Sequence, residues 1–423
     1  MTEKVLVTTQ KQRFVLLLEK ISEYSLYVLL FCLPFSKAMI EICLITAMIA
    51  WILKKVISCS YRDITSDILF YPLLFYVACN IFSVIISVDP ALSLYALVSK
   101  TLEYVVLYFL VVDTIKQEKQ LKRLLLIIGA AVFLVTIDGI VQYITGNDFL
   151  RSYSVYDDVK MRACFTNPNN LAGWLIVMIP FLVISLIAGK ELIYFQFQKY
   201  CVVLLLALSF ICLLYSYSRS AFLGVVCGIV FIWHSIMRTM PMWQHILVYC
   251  LVLLIFIGVL FVAPQTIKDK AHSIIGQNIF INRTFVWKRA LQIIRDFYYV
   301  GCGLNTYSMM TRKYDVFYRE NYNIGVYAHN CYLQMAAEIG VIGLISFLII
   351  IFRFFWYACL KIKQNKNALF LTGTIGGLIG YLIQSFFDTH LYSLQLATLF
   401  WFIMGLAVAC IQIAPSKQTA TVE

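Results

Sequence analysis

The chain has 423 residues, of which 61% are hydrophobic and 13% charged, and its mean hydropathy is +0.83. Those values exclude a soluble globular domain and put the chain with polytopic helical membrane proteins. Its net charge of +12 is better read as basic loops flanking membrane spans than as a nucleic-acid surface, so membrane lipids are expected as partners and nucleic acid is not.

Residues 1–20, with Lys4, Lys11, Arg13 and Lys20, are too polar for a signal-peptide core, so the first apolar run is expected to stay in the protein as a helix. A helix needs about 20 apolar residues to cross the hydrocarbon. The apolar runs predict twelve spans, near 22–36, 38–53, 66–87, 92–112, 122–144, 170–188, 199–217, 219–237, 245–263, 331–356, 367–387 and 391–413. The expected fold class is therefore an all-α polytopic membrane protein. It divides into an N-terminal bundle (1–263), one large loop (264–329), C-terminal membrane helices (330–413) and a tail (414–423). Thirteen cysteines include no C-x-x-C pair and fall mostly inside apolar runs, which gives neither a disulfide framework nor a metal site.

An even number of spans puts both termini on one side. Basic clusters such as Lys54–Lys55, Lys116–Arg123 and Lys361–Lys366 lie on that side. The opposite short connections and their helices hold only Lys37, Lys100, Arg151, Lys160, Arg162 and Arg219. The positive-inside rule makes the termini cytoplasmic and the 264–329 loop external. "RACFTNPNNLAGW", "YSYSRSAFLG", the loop, "YAHNCYLQMAAEIG" and "FFDTH" then all converge on one external face.

Arg219 is the sharpest single signal. A charged side chain at membrane depth costs roughly 2.5–3.5 kcal/mol on insertion scales and usually faces a polar cavity. Its planar fork suits phosphate oxygens, although a turn arginine can also simply snorkel to the headgroups. Residues 281–307 read as an amphipathic helix from about Asn282 to Tyr299, followed by Gly301 and Gly303. Trp287, Leu291 and Ile294 would anchor it in the interface. Arg283, at its start, could instead add a cation beside the helix N-terminus. His329 has the chemistry of a general base, since an unperturbed imidazole titrates near neutral pH; capping or packing at a helix mouth is the plainer use. Glu338 and Asp388 are both available to orient it. Asn167–Asn170 read first as a turn and N-cap for the sixth span, with ligand contact by Asn170 the lesser use. No D-x-D, Walker loop or G-x-G-x-x-G occurs. Neither a cofactor nor a metal is expected, and chemistry on an external face then needs a donor that is already activated.

"FTNPNNLAG", "SRSAFLG", "NRTFVWKRAL…GCGLNTY" and "AHNCYLQMAAEIGVIGL", in that order relative to the spans, resemble the bacterial O-antigen ligase and O-antigen polymerase superfamily over most of the chain. The resemblance implies a GT-C-like membrane glycosyltransferase that uses lipid-linked phosphosugars. The ligase branch transfers a glycan from undecaprenyl diphosphate to a sugar hydroxyl of lipid A–core at the periplasmic face of the inner membrane. Chain length and a single large loop look like that branch. By the same resemblance Arg219 and Arg283 would hold the diphosphate and stabilise it as it leaves, and His329 would take or position the acceptor proton. Arg162 would be a third phosphate cation. Asn170, Asn330, Asp388 and His390 would line the substrate site. Asn282 stands where the family usually has a small residue, which makes Arg289 a rival for the part given to Arg283. One displacement with one base inverts the anomeric centre. Two other functions compete: a polymerase of the same superfamily, whose acceptor is another lipid-linked repeat, and a twelve-span secondary transporter, which would commonly show paired halves and broken helices near the midplane.

Overall fold

The computed structural model describes residues 2–60, 62–188, 196–238, 240–250, 279–314, 327–362, 365 and 367–413. Among these the regular structure is helical, with no strand beyond two isolated bridges in the 147–160 loop. The principal helices are α1 (Thr2–Cys32), α2 (Lys37–Ser58), α3 (Phe70–Ile85), α4 (Pro90–Thr114), α5 (Glu118–Thr145), α6 (Pro168–Ala188) and α7 (Gln196–Tyr215). They continue through α8 (Arg219–Ile236), α9 (Ile279–Asp296), α10 (Tyr307–Lys313), α11 (Cys331–Ile362), α12 (Ala368–Gln384) and α13 (Leu394–Gln412).

Seven of these are long and apolar enough to cross a bilayer: α4, α5, Gln198–Tyr215 within α7, α6, α8, α11 and α13. α3 and α12 are shorter apolar helices. The first two expected spans fall within α1 and α2, and most of the expected span 245–263 lies outside the described residues, as do much of the 264–329 loop and the 414–423 tail. α1 is one continuous helix that begins well before residue 22.

Hydropathy alone ranks the spans similarly, but the packing separates them sharply. The most apolar window of α13 is 89% buried inside the protein, against 22% for that of α7. The last helix is therefore the centre of the bundle, lying against α4 and α12, while α7 turns most of its side chains outward to lipid. α8 and α12 cross at small residues. A Cβ added to Gly224 would lie 2.6 Å from the Gly380 carbonyl oxygen, and one on Gly228 would lie 2.6 Å from that of Gly376. Both helices carry their glycines four residues apart, so the backbones touch without intervening side chains, as small-xxx-small interfaces do in membranes.

α11 is broken near its N-terminal end. Gly340 has φ 72° and ψ 174°, which interrupts the helical ladder. The segment after α9 fills the break. Cys302 N–H donates to the Ala337 carbonyl (2.9 Å), Gly303 N–H to that of Glu338 (2.9 Å), and Val341 N–H to that of Tyr298 (2.8 Å). A left-handed φ and a backbone approach too close for any Cβ explain why residue 340 is glycine. "GCGLN" is thus a cap for a divided helix, satisfying carbonyls that would otherwise be unpaired inside a bundle.

The amphipathic helix also departs from expectation. It runs Ile279–Asp296, earlier at both ends than 282–299, because the chain must turn through Tyr298–Gly303 to reach the break in α11. Ile294 is 9% exposed and packs with Ala290 and Ile293 against Ala336 and Ala337 of α11, and Trp287 packs on Phe386 with ring centroids 5.9 Å apart. Of the three proposed lipid anchors only Leu291, 54% exposed, is free to meet the interface.

Candidate active site

Four separate segments meet where the starts of α6, α8 and α11 lie beside the end of α12. The first is the α6 entry. The Asn167 carboxamide oxygen accepts the Asn169 N–H (2.8 Å), with Pro168 at the first helical position, so the "NPNN" run starts the helix as its turn chemistry predicts. Asn170 sits half-buried in that first turn. Second is the tight α7–α8 turn, where Tyr217 takes a left-handed φ of 53° and Arg219 opens α8, exposed, with no hydrogen-bond or ion-pair partner among the described residues. Third is the mouth of α11. The fourth is the loop from α12 to α13.

Gln384 links these pieces. Fully buried, its amide nitrogen lies 3.4 Å from both the Asn169 carbonyl and the Ser218 hydroxyl, joining the α6 entry to the residue before Arg219. From the same loop, Ser385 O accepts Cys331 N–H (2.8 Å) and Asp388 O lies 3.2 Å from Cys331 Sγ, fixing the start of α11. Tyr332 donates its hydroxyl to Leu382 O (2.9 Å). The α9 helix closes the side. Trp287 and Tyr332 both pack on the ring of Phe386, and Arg283, four residues before Trp287, shares its helical face.

His329 lies at this junction with φ 48° and a side chain that keeps 42% of its exposure. Its Nδ1 is 3.4 Å from Asp388 Oδ1. Burial by itself would push the Asp388 carboxyl up, but the hydrogen bond from His329, the neighbouring imidazoles and the Thr389 N–H (2.8 Å) outweigh it and hold the group well below the usual carboxylate range. Asp388 is therefore an anion at neutral pH, facing one ring nitrogen of His329 and leaving Nε2 for something else. The sequence offered two carboxylates for this position, and the geometry chooses Asp388. Glu338 points elsewhere, accepting from Asn305 N–H (2.9 Å) and Gln334 Nε2 (3.2 Å).

The remaining expected site residues divide. Asn330 is buried and its side-chain oxygen accepts the N–H groups of Tyr332 (2.9 Å) and Leu333 (3.0 Å), which makes it the N-cap of α11. Arg162 spends its guanidinium on Ser154 O (2.8 Å) and Thr166 O (3.2 Å) and stacks on Tyr153, 4.8 Å from the ring centre, so it braces the 147–166 loop. Arg289 is 2% exposed under α9, beside Tyr307. That burial sets it apart from Arg283, which lies half-buried on the Trp287 face. His390 is 1% exposed, and burial lowers its pKa against the pull of Asp388. A Cβ on Gly173 would fall 3.1 Å from His390 Nε2, which places His390 against α6. Sequence reasoning missed Gln384, Gln334, Asn305 and Lys100. An apolar run containing a lysine or two glutamines was the available signal. No group of three His, Cys, Asp or Glu side chains capable of holding a metal ion occurs among the described residues.

Residues 204–348 match the family model of O-antigen ligase. That stretch is about a third of the chain, and the match supports its similarity to the O-antigen ligase/polymerase superfamily. The match takes in Arg219, Arg283, Arg289, His329, Asn330 and Glu338, and it ends before Asp388 and His390, which the fold supplies from outside it. No curated protein matches the chain. Together with the seven helices among the described residues that are long and apolar enough to cross a bilayer, the match points to a multi-pass membrane protein.

Proposed function

We propose that the protein is an O-antigen ligase that moves a glycan from undecaprenyl diphosphate to a sugar hydroxyl of lipid A–core, at the periplasmic face of the bacterial inner membrane, with both termini in the cytoplasm. The observation that carries this reading is the half-exposed His329 backed by buried Asp388, at the same junction as the exposed Arg219, which has no partner among the described residues. A base needs a free ring nitrogen and a fixed orientation, and a carboxylate on the opposite nitrogen supplies both. An activated glycan needs its departing diphosphate neutralised, and uncommitted guanidinium groups do that without reorganising.

In this mechanism His329 Nε2 takes the proton from the acceptor hydroxyl as that oxygen bonds to the anomeric carbon. The bond from that carbon to the diphosphate oxygen breaks, and undecaprenyl diphosphate leaves with the electron pair. Arg219 and Arg283 bind its phosphate oxygens, Asp388 steadies the imidazolium, and the anomeric centre inverts. Asn170 and His390 sit near enough to the α6 entry and the Asp388 loop to shape the acceptor pocket.

The test is reconstitution. Purified protein, undecaprenyl-diphosphate glycan and lipid A–core, without metal or nucleotide, should yield glycan-bearing lipid A–core. Transfer only to a second lipid-linked repeat would instead make the protein a polymerase, and substrate flux across vesicles that persists in Arg219→Ala and His329→Ala would make it a transporter.

A further inference from the structure

Glu338 is two turns inside α11, 2% exposed, and takes no part in the chemistry just described. It is nonetheless the hub of a hydrogen-bonded chain. Lys100 Nζ, in a π-helical stretch of α4 (Leu97–Leu102), donates to the Asn305 side-chain oxygen (2.8 Å). Asn305 N–H donates to Glu338 Oε2 (2.9 Å), and Gln334 Nε2 donates to Glu338 Oε1 (3.2 Å). The other end of the Gln334 amide, its Oε1, accepts the N–H of Ala328 (3.2 Å), the residue just before His329. A cavity of about 60 Å³ lies beside the chain, lined by Lys100, Asn305, Glu338, Tyr104 and Tyr392 among others, which is room for ordered water.

We propose that Lys100, Asn305, Glu338 and Gln334 form a positioning relay that fixes the Ala328–His329 backbone and thereby aims the imidazole at the acceptor. The proposal deepens the ligase reading, and three observations support it. His329 and Asn305 both have left-handed φ, 48° and 60°, which a non-glycine residue keeps only when its surroundings hold it. The Glu338 carbonyl also anchors Ser83 Oγ (2.7 Å) and Gly303 N–H (2.9 Å), so α3, the "GCGLN" cap and α11 share one fixed point. Finally, a buried carboxylate in a membrane helix is costly unless it is used. Asn330 caps α11 from its own side chain, so the helix start does not need Gln334 for its own N–H groups. What Gln334 adds is a hold on the residue preceding the base.

The directions of the hydrogen bonds give a decisive test. In Glu338→Gln the single remaining oxygen can serve Asn305 N–H or Gln334 Nε2, not both. In the double variant Gln334→Glu/Glu338→Gln every bond is restored: the new carboxylate accepts from Ala328 N–H and from the new amide, whose oxygen accepts from Asn305. Gln334→Met removes both the link to Ala328 and the donation to Glu338, and leaves the bond from Asn305 N–H to Glu338 in place. Carbethoxylation of the five histidines, followed residue by residue by mass spectrometry on the purified full chain, reads the setting of His329 without needing turnover. The rate at His329 should rise severalfold in Glu338→Gln and Gln334→Met and return to the wild-type value in the double variant, with the other histidines unchanged. In the transfer assay the single variants should lose about tenfold in kcat with KM for the lipid-linked donor unchanged, as a misaimed group does. Unchanged rates at His329 in Gln334→Met, or a double variant no better than Glu338→Gln, would overturn the relay. A wild-type protein with no transfer activity would count against the ligase reading alone, since the carbethoxylation pattern still decides the relay.

Discussion

α4 carries at one end a charge cluster of the opposite kind to the one at the candidate site. Near its C-terminal end Asp113 is ringed by Lys54 Nζ (2.7 Å), Lys55 Nζ (2.9 Å), Lys116 Nζ (3.0 Å) and Trp51 Nε1 (2.9 Å). Glu19 (3.4 Å) and Asp63 (3.3 Å) complete the set, so three cations face three anions. At the candidate site Arg219 stands exposed with no partner among the described residues, and His329 has one carboxylate behind it and keeps 42% of its side-chain exposure. The first cluster is finished: it stitches α2 to α4. The second is incomplete in a way that an anionic, hydroxyl-bearing ligand would complete. Polar groups in a membrane protein that satisfy one another read as architecture, and those left unsatisfied at a mouth read as a site.

That contrast yields predictions that run from the largest effect on transfer to the smallest. Arg219→Ala and Arg283→Ala should each remove the O-antigen ladder from lipopolysaccharide gels, a loss of about 10²–10³ in rate, while the protein still accumulates in the membrane. A normal ladder from Arg219→Ala would mean that the exposed guanidinium is headgroup decoration. His329→Ala should cost on the order of 10²–10⁴ in kcat. Asp388→Asn should cost less, about 10²-fold, because the imidazole stays in place but loses its orientation. Equal losses in the two variants would say that Asp388 shares the chemistry rather than steadying it.

Effects at the finished cluster should fall on stability instead. Asp113→Asn removes the buried anion that Lys54 and Lys55 share and leaves them only the longer contacts to the more exposed Glu19 and Asp63, a break that costs up to about 3–5 kcal/mol. It should lower the unfolding temperature in detergent and leave kcat of the surviving protein unchanged. Chelator should change nothing at either cluster in the wild-type transfer assay. A drop in activity that a specific divalent ion restores would bring a metal into the mechanism.

How much of this was legible beforehand depends on the kind of residue. Arg219, His329 and the Asn167–Asn170 turn announced themselves because a polar group at the edge of a long apolar run is expensive and local, so one stretch of sequence contains the whole signal. The choice between Asp388 and Glu338 did not, since it depends on a loop 59 residues away reaching back to His329. "GCGLN" looked like a helix stop, and only the break at Gly340 revealed it as the partner of two stranded carbonyls. Trp287 and Ile294 looked like lipid anchors because hydropathy cannot distinguish lipid from the flank of another helix; both are equally apolar.

The sequence by itself determined that this chain is a bundle of apolar helices and where its strongest cation and its imidazole fall, because transfer to lipid is governed by composition residue by residue. Tertiary structure alone decided that α13 is the hub, that glycines on α8 and α12 meet backbone to backbone, and that Asp388 rather than Glu338 faces His329. Those outcomes follow from helix rotation and packing. Turning a helix through half a revolution leaves its hydropathy unchanged but redirects every side chain on it.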